Sequence, residues 1–104
     1  MHIISRKIIK EFCQQLPEAE KAIDQWYRIV KRNNFRNFSE VKSLFPSADQ
    51  VGKFVVFDIG GNKYRLVASI IYKIKRLYIR HVLTHSEYDR QKWKEDPWFK
   101  NMKK

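Results

Sequence analysis

Acidic side chains are scarce in this sequence: 11 Asp and Glu face 22 Lys and Arg over 104 residues, a formal charge of +11. An excess of that size attracts polyphosphates through long-range field and counterion release, whether or not any base is read. Cysteine is almost absent, and the lone Cys13 can close no internal disulfide and has no partner for a thiolate zinc site. That fits a reducing compartment. Glycine and proline number three each, with no linker or low-complexity tract, so one domain over residues 1–104 is expected. No apolar run approaches the roughly 20 residues that span a bilayer. The start, Met1-His2-Ile3-Ile4-Ser5-Arg6-Lys7, lacks the long apolar core and small-residue cleavage site of a secretory leader. A cytoplasmic protein with no membrane partner is expected. A metal triad, a dinucleotide fingerprint, a phosphate-cradling glycine loop and a nucleophile elbow are all missing, so neither metal nor cofactor is expected.

What is present is a folding sequence. Hydrophobic residues make up 43%, including three Trp, five Tyr and seven Phe, which a disordered basic tail would not carry. His2 to Ile4 reads as a short strand, and Ser5 as the N-cap of a helix carrying Ile8, Ile9 and Phe12 and ending near Leu16. Pro17 suits the first turn of the next helix, where Ala19, Ala22, Ile23, Trp26, Ile29 and Val30 form an apolar stripe. Asn33-Asn34 ends it. Residues 35–50 read as a connection with one helical turn near Ser39 to Leu44. Beyond it, Lys53 to Ile59, Asn62 to Ile74 and Arg76 to Leu83 are rich in Val, Ile, Phe and Tyr, with turns at Gly60-Gly61 and Lys75. These predict an antiparallel meander. Ser86 followed by Asp89 resembles a capping box for a last helix running to about Glu95, stopped by Pro97, with Lys100 to Lys104 as a basic tail. The order β-α-α-β-β-β-α predicts an α+β fold, a mostly antiparallel sheet with helices packed on one face.

Charge is uneven. Residues 1–52 carry 9 basic and 6 acidic side chains, and residues 53–104 carry 13 and 5. Alternation along the middle strand puts Tyr64, Leu66, Ala68, Ile70 and Tyr72 on the helix face and Lys63, Arg65, Val67, Ser69 and Ile71 on the other. On the last strand the same parity groups Leu77, Ile79, His81 and Leu83 as the apolar set, and Arg76, Tyr78, Arg80 and Val82 opposite. Arg65 and Arg80 then share the open face, with Tyr78 beside them. Two readings fit that patch. Guanidinium groups and an aromatic ring suit phosphates and unstacked bases; a solvated face paired with acids such as Asp58 suits the same residues. His2 and His81 read as structural. His85 follows the last strand at the entry to the final helix, where an imidazole can exchange protons with a bound phosphate ester or serve only in capping.

Several blocks together resemble the HigB toxins of the RelE/ParE superfamily of type II toxin-antitoxin systems. They are Met1-His2-Ile3-Ile4, Phe57-Asp58-Ile59-Gly60-Gly61-Asn62, Tyr64-Arg65-Leu66-Val67-Ala68, Tyr78-Ile79-Arg80 and Thr84-His85-Ser86-Glu87-Tyr88-Asp89. The resemblance implies a metal-independent mRNA interferase acting on ribosome-bound mRNA and held inactive by a HigA-type helix-turn-helix antitoxin. It implies catalytic roles for Arg65, Arg80, His85 and Tyr88, and RNA contacts from Lys53, Lys63, Lys73, Arg76 and Tyr78. RelE-like chains carry an arginine-rich segment where this one has Thr84-His85-Ser86, a departure from the RelE pattern of roles; in the mechanism expected here His85 is assigned to proton transfer. The alternatives are a ParE-like gyrase inhibitor and a non-catalytic RNA- or ribosome-binding module.

Overall fold

In the computed structural model, which describes residues 1–100, two short strands flank a meander of three longer ones. The elements are β1 (His2–Ile4), α1 (Arg6–Gln15), α2 (Glu20–Lys31), α3 (Phe38–Leu44), β2 (Asp49–Val51), β3 (Phe54–Ile59), β4 (Tyr64–Ile71), β5 (Arg76–Thr84), α4 (His85–Asp89) and α5 (Pro97–Lys100), joined in places by 3-10 turns. The five-stranded sheet has the order β1-β5-β4-β3-β2, with β1 parallel to β5 and every other pair antiparallel. The fold is the expected α+β arrangement. Both edge strands are only three residues long, which limits pairing with other chains.

The amphipathic stripe of α2 buries Ile23, Trp26 and Val30 against the sheet, as its spacing predicts. There Trp26 and Phe45 both meet Phe57 edge-on, at 5.3 and 5.1 Å between ring centroids. Phe12 of α1 meets Tyr64 in the same way at 5.6 Å. Tyr64, Leu66, Ala68 and Ile70 all belong to this core, so the parity reading of β4 holds. No helix among the described residues is long and apolar enough to cross a membrane.

Four local expectations are corrected. Ser5 stands at the N-cap of α1 but makes no side-chain cap bond, because its left-handed φ of 80° serves the tight strand-to-helix turn. The connection before β3 contains the extra edge strand β2, folded back through the left-handed Gly52. The capping box is Thr84 with Glu87, not Ser86 with Asp89, so the helix begins at His85 and closes after one turn, when Gln91 adopts φ 60°. Pro97 starts α5 rather than stopping a helix: Asp96 accepts the Trp98 N–H at 2.8 Å as an N-cap does, and proline occupies the first helical position. Of the basic tail, residues 101–104 lie outside the described residues.

The largest correction concerns β5. Its pairing with β4 runs Val67 to His81 and then Ala68 to Ile79, leaving Arg80 as the extra residue of a β-bulge. A bulge shifts the alternation by one. Val82 therefore joins Leu77 and Ile79 in the helix-side core, while His81 and Leu83 turn to the opposite face, contrary to the simple parity. That face is not bare. Residues 92–100 lie across part of it, and Trp93 with Phe99 packs on Phe54, Val56 and Val67 as a second small core.

Candidate active site

The β3–β4 turn, the start of β4, the end of β5 and α4 meet at one corner of the sheet. Antiparallel pairing of Tyr64 with Thr84 brings them there, and the His85 N–H extends the ladder by donating to the Lys63 carbonyl at 3.1 Å. Thr84 Oγ1 accepts the Glu87 N–H at 3.2 Å, and Glu87 Oε1 accepts the Thr84 N–H at 2.9 Å. This reciprocal cap fixes where α4 begins and so where His85 stands. One helical turn on, Asp89 Oδ2 lies 3.1 Å from His85 Nδ1, and both side chains are exposed. A carboxylate there favours a proton on Nδ1 and leaves Nε2 as the nitrogen free for proton exchange.

Arg65, near the start of β4, is only 9% exposed. Its Nε donates to Asp58 Oδ1 at 3.0 Å, its Nη1 to the carbonyls of Asn62 and Tyr64, and its Nη2 to Asn62 Oδ1 at 2.9 Å. The guanidinium carbon sits 5.5 Å from the Tyr88 ring centroid. The arginine thus ties the turn, with its left-handed Gly60, Gly61 and Asn62, to α4. Tyr88 in turn stacks on Trp93 with centroids 5.2 Å apart and planes at 10°. Burial raises the Tyr88 phenol above its ordinary value; the Arg65 charge opposes this, and Asp49, Asp58 and Asp89 add to it. At neutral pH the phenol is therefore a neutral hydrogen-bond donor.

Arg80 lies on the same face but has other partners. Its Nε and Nη2 grip Asp96 as a fork at 3.0 and 2.9 Å, and its guanidinium covers the Trp98 ring at 4.0 Å. The bulge makes Arg80 and His81 neighbours on one side, so His81 Nε2 reaches the same carboxylate at 2.8 Å. The Asp96 side chain is 2% exposed. Burial opposes its ionisation, but hydrogen bonds from Arg80, the Trp98 N–H and His81, with the Arg80 charge, outweigh that and hold the carboxyl below its ordinary value.

A family model described as HigB_toxin, RelE-like toxic component of a toxin-antitoxin system, matches residues 19–91. This chain belongs to the HigB toxin family. Among curated relatives, the mRNA interferase HigB of Escherichia coli O6:H1 is 34% identical over 93 residues, covering 86% of this chain and 90% of the relative. The mRNA interferase toxin HigB of Escherichia coli K12 and the mRNA interferase HigB of Shigella flexneri are each 33% identical over 92 residues, covering 86% of this chain and 88% of theirs. The corner built by Lys63, Arg65, His85 and Tyr88 lies within the matched span; Asp96 and Trp98 lie beyond it.

The residues expected to serve this HigB-family toxin do not form one cluster. Lys63, Arg65, His85 and Tyr88 meet at the corner. Arg76 pairs with Ile71 at the far end of the β4–β5 ladder, eight residues along β5 from Thr84 or about 26 Å. Lys73 lies in the turn beyond Arg76, Tyr78 pairs with Ser69, and Lys53 precedes Phe54, which pairs with that same Ser69. A cleft of about 640 Å³ between α1 and α2, lined by Arg6, Ile9, Cys13, Ile23 and Tyr27 among others, contains none of them. Sequence reasoning missed Asp89 as the partner of His85, and Asp96 with Trp98 as partners of Arg80. Spacing of i to i+4 on a helix signals the first, and Asp-Pro at a helix start signals the second.

Proposed function

We propose that this HigB-family toxin is an mRNA interferase, a metal-independent endoribonuclease that halts translation, with its reaction centre at the corner built by His85, Lys63, Arg65 and Tyr88. The 2′-OH attacks the adjacent phosphorus in line, the P–O5′ bond breaks, and the products carry a 2′,3′-cyclic phosphate and a 5′-OH. The reaction needs proton transfer at the entering and leaving oxygens and positive charge on the phosphorane. His85 Nε2 exchanges the proton, with Asp89 holding Nδ1. Lys63, which has no ion pair among the described residues, and Arg65 supply charge, and Tyr88 orients the base beside the scissile bond. Arg80, expected with Arg65 on the phosphorane, acts in this scheme through the Asp96 segment that it holds.

The observation that carries the proposal is an exposed His–Asp pair mounted on a capped helix start beside Lys63 and Arg65, in a family whose curated relatives are named mRNA interferases. We infer as partners ribosome-bound mRNA and a HigA-type helix-turn-helix antitoxin, and a cytoplasmic location follows from that target. Primer extension on mRNA after induction, with and without ribosomes, tests the reading. New 5′ ends at defined codon positions are expected, and His85→Ala should reduce them by about 10²–10⁴-fold. Growth arrest with intact mRNA and relaxed plasmids would instead indicate a ParE-like gyrase inhibitor.

A further inference from the structure

Of the three tryptophans, Trp26 and Trp93 are 2% and 4% exposed, whereas Trp98 is 38% exposed. Exposed aromatic rings on a surface are ordinarily loose. This ring is held on two sides, with the Arg80 guanidinium 4.0 Å from its centroid and Tyr78 meeting it edge-on at 5.2 Å and 67°, while the backbone N–H of the same residue donates to Asp96 at 2.8 Å. Arg80 is itself immobilised by its fork on the buried Asp96. The ring is therefore ordered before any ligand arrives, which removes much of the entropy that stacking otherwise costs.

The surroundings are cationic. Arg76 precedes Tyr78 by two residues, hence on the same face of β5 and about 7 Å away along the strand. Lys73 and Lys75 occupy the turn beyond it. All three are exposed, and none makes an ion pair among the described residues. Asp96, which anchors this platform, has its oxygens occupied by Arg80, His81 and the Trp98 backbone N–H.

We propose that Trp98 is a stacking platform for an unpaired nucleobase of single-stranded RNA, with Arg76 and Lys73 taking the neighbouring phosphates. The inference rests on RNA as the toxin's target and adds a second contact point, toward the other end of the sheet from His85. A strand held at both places is positioned over the reaction corner without contributing to its chemistry. Trp98 lies beyond residues 19–91, the span matched by the family model. Free cations around a small aromatic surface favour a polyanion over an apolar protein partner.

Trp98 reports on itself, because the other two indoles are shielded. The full chain carrying His85→Gln, which prevents cleavage, is titrated with a single-stranded oligoribonucleotide of about twelve nucleotides. Binding is followed by anisotropy of a label on the RNA and, in parallel, by tryptophan emission. Expected are saturable quenching with single-stranded RNA and none with the matching duplex. Trp98→Ala should weaken binding about 5- to 150-fold and Trp98→Phe recover most of the loss, while Arg76→Ala lowers the salt slope by about 0.7. Saturation without quenching overturns the platform while leaving the interferase reading intact. Unchanged affinity in Trp98→Ala does the same, including when that variant loses antitoxin binding instead. Absence of RNA binding by the parent chain also overturns the platform, whereas the interferase reading falls only if the primer-extension experiment with ribosomes yields no new 5′ ends.

Discussion

Arg65 and His85 sit at the same corner, yet substitutions there should separate fold from chemistry. Arg65 is enclosed, and its removal leaves Asp58 without its counter-charge and Asn62 without a donor. Breaking such a pair costs about 3 kcal/mol, which in a domain of this size lowers Tm by on the order of 15 °C. Arg65→Lys keeps the charge but not the fork, and should fall between wild type and Arg65→Ala. The exposed His85 side chain pairs with the exposed Asp89, and its backbone bond to Lys63 survives substitution, so His85→Ala should melt within about 2 °C of wild type while losing cleavage. Circular-dichroism melts beside a cleavage assay at a temperature where all variants are folded check both statements. If Arg65→Ala melts with wild type, the inward role given to this arginine is wrong. Tyr88 was named through the family resemblance, whereas the meeting of Arg65 and His85 was legible from strand order, because the start of β4 and the end of β5 are antiparallel neighbours. The capture of Arg65 by Asp58 and Asn62 was less so, since it depends on three consecutive positive-φ residues that aim the turn back at the guanidinium.

Elements were legible wherever a period ran uninterrupted, and misread where one residue broke it. β4 alternates cleanly and its faces followed from sequence; β5 carries one extra residue at Arg80, and everything after it reverses. Val82 is the discriminating position. It is 7% exposed within the helix-side core, so Val82→Asn should cost roughly 2–4 kcal/mol in urea unfolding. Simple alternation places Val82 outside and predicts almost no change. The same bulge lets Arg80 and His81 clasp Asp96, which fastens residues 92–100 to the sheet. Because the fold holds the Asp96 carboxyl below its ordinary value, its stabilisation is complete above the unfolded-state pKa of about 3.9. That stabilisation disappears as pH falls through the lower folded value. The segment should therefore loosen in acid below about pH 4, seen as a change in tryptophan emission and faster amide exchange over residues 92–100. Asp96→Asn should be less stable at pH 7 and lack this acid step; an unaltered acid step in that variant would remove Asp96 as its origin.

At the scale of the whole molecule, the charge of +11 is distributed over both ends of the sheet and the helix surface rather than gathered on the reaction corner. Lys63, Arg65 and His85 lie at that corner, whereas Lys73, Lys75 and Arg76 sit at the far end of β4 and β5 and Arg6, Lys7 and Arg28 on the helices, so much of the excess acts on association and not on bond cleavage. Single-stranded RNA binding should weaken with salt with a log–log slope of about −0.7 per phosphate neutralised. For about five contacts, going from 50 to 200 mM salt lowers affinity roughly 100-fold. Over the same range kcat at saturating RNA should change little, because Arg65 is enclosed and screened less than the surface lysines. Steady-state cleavage of a short RNA at several salt concentrations separates the two parameters. A KM that stays flat while kcat falls would mean that the outlying cations do not hold the strand, and that the charge acts chiefly on the reacting phosphate.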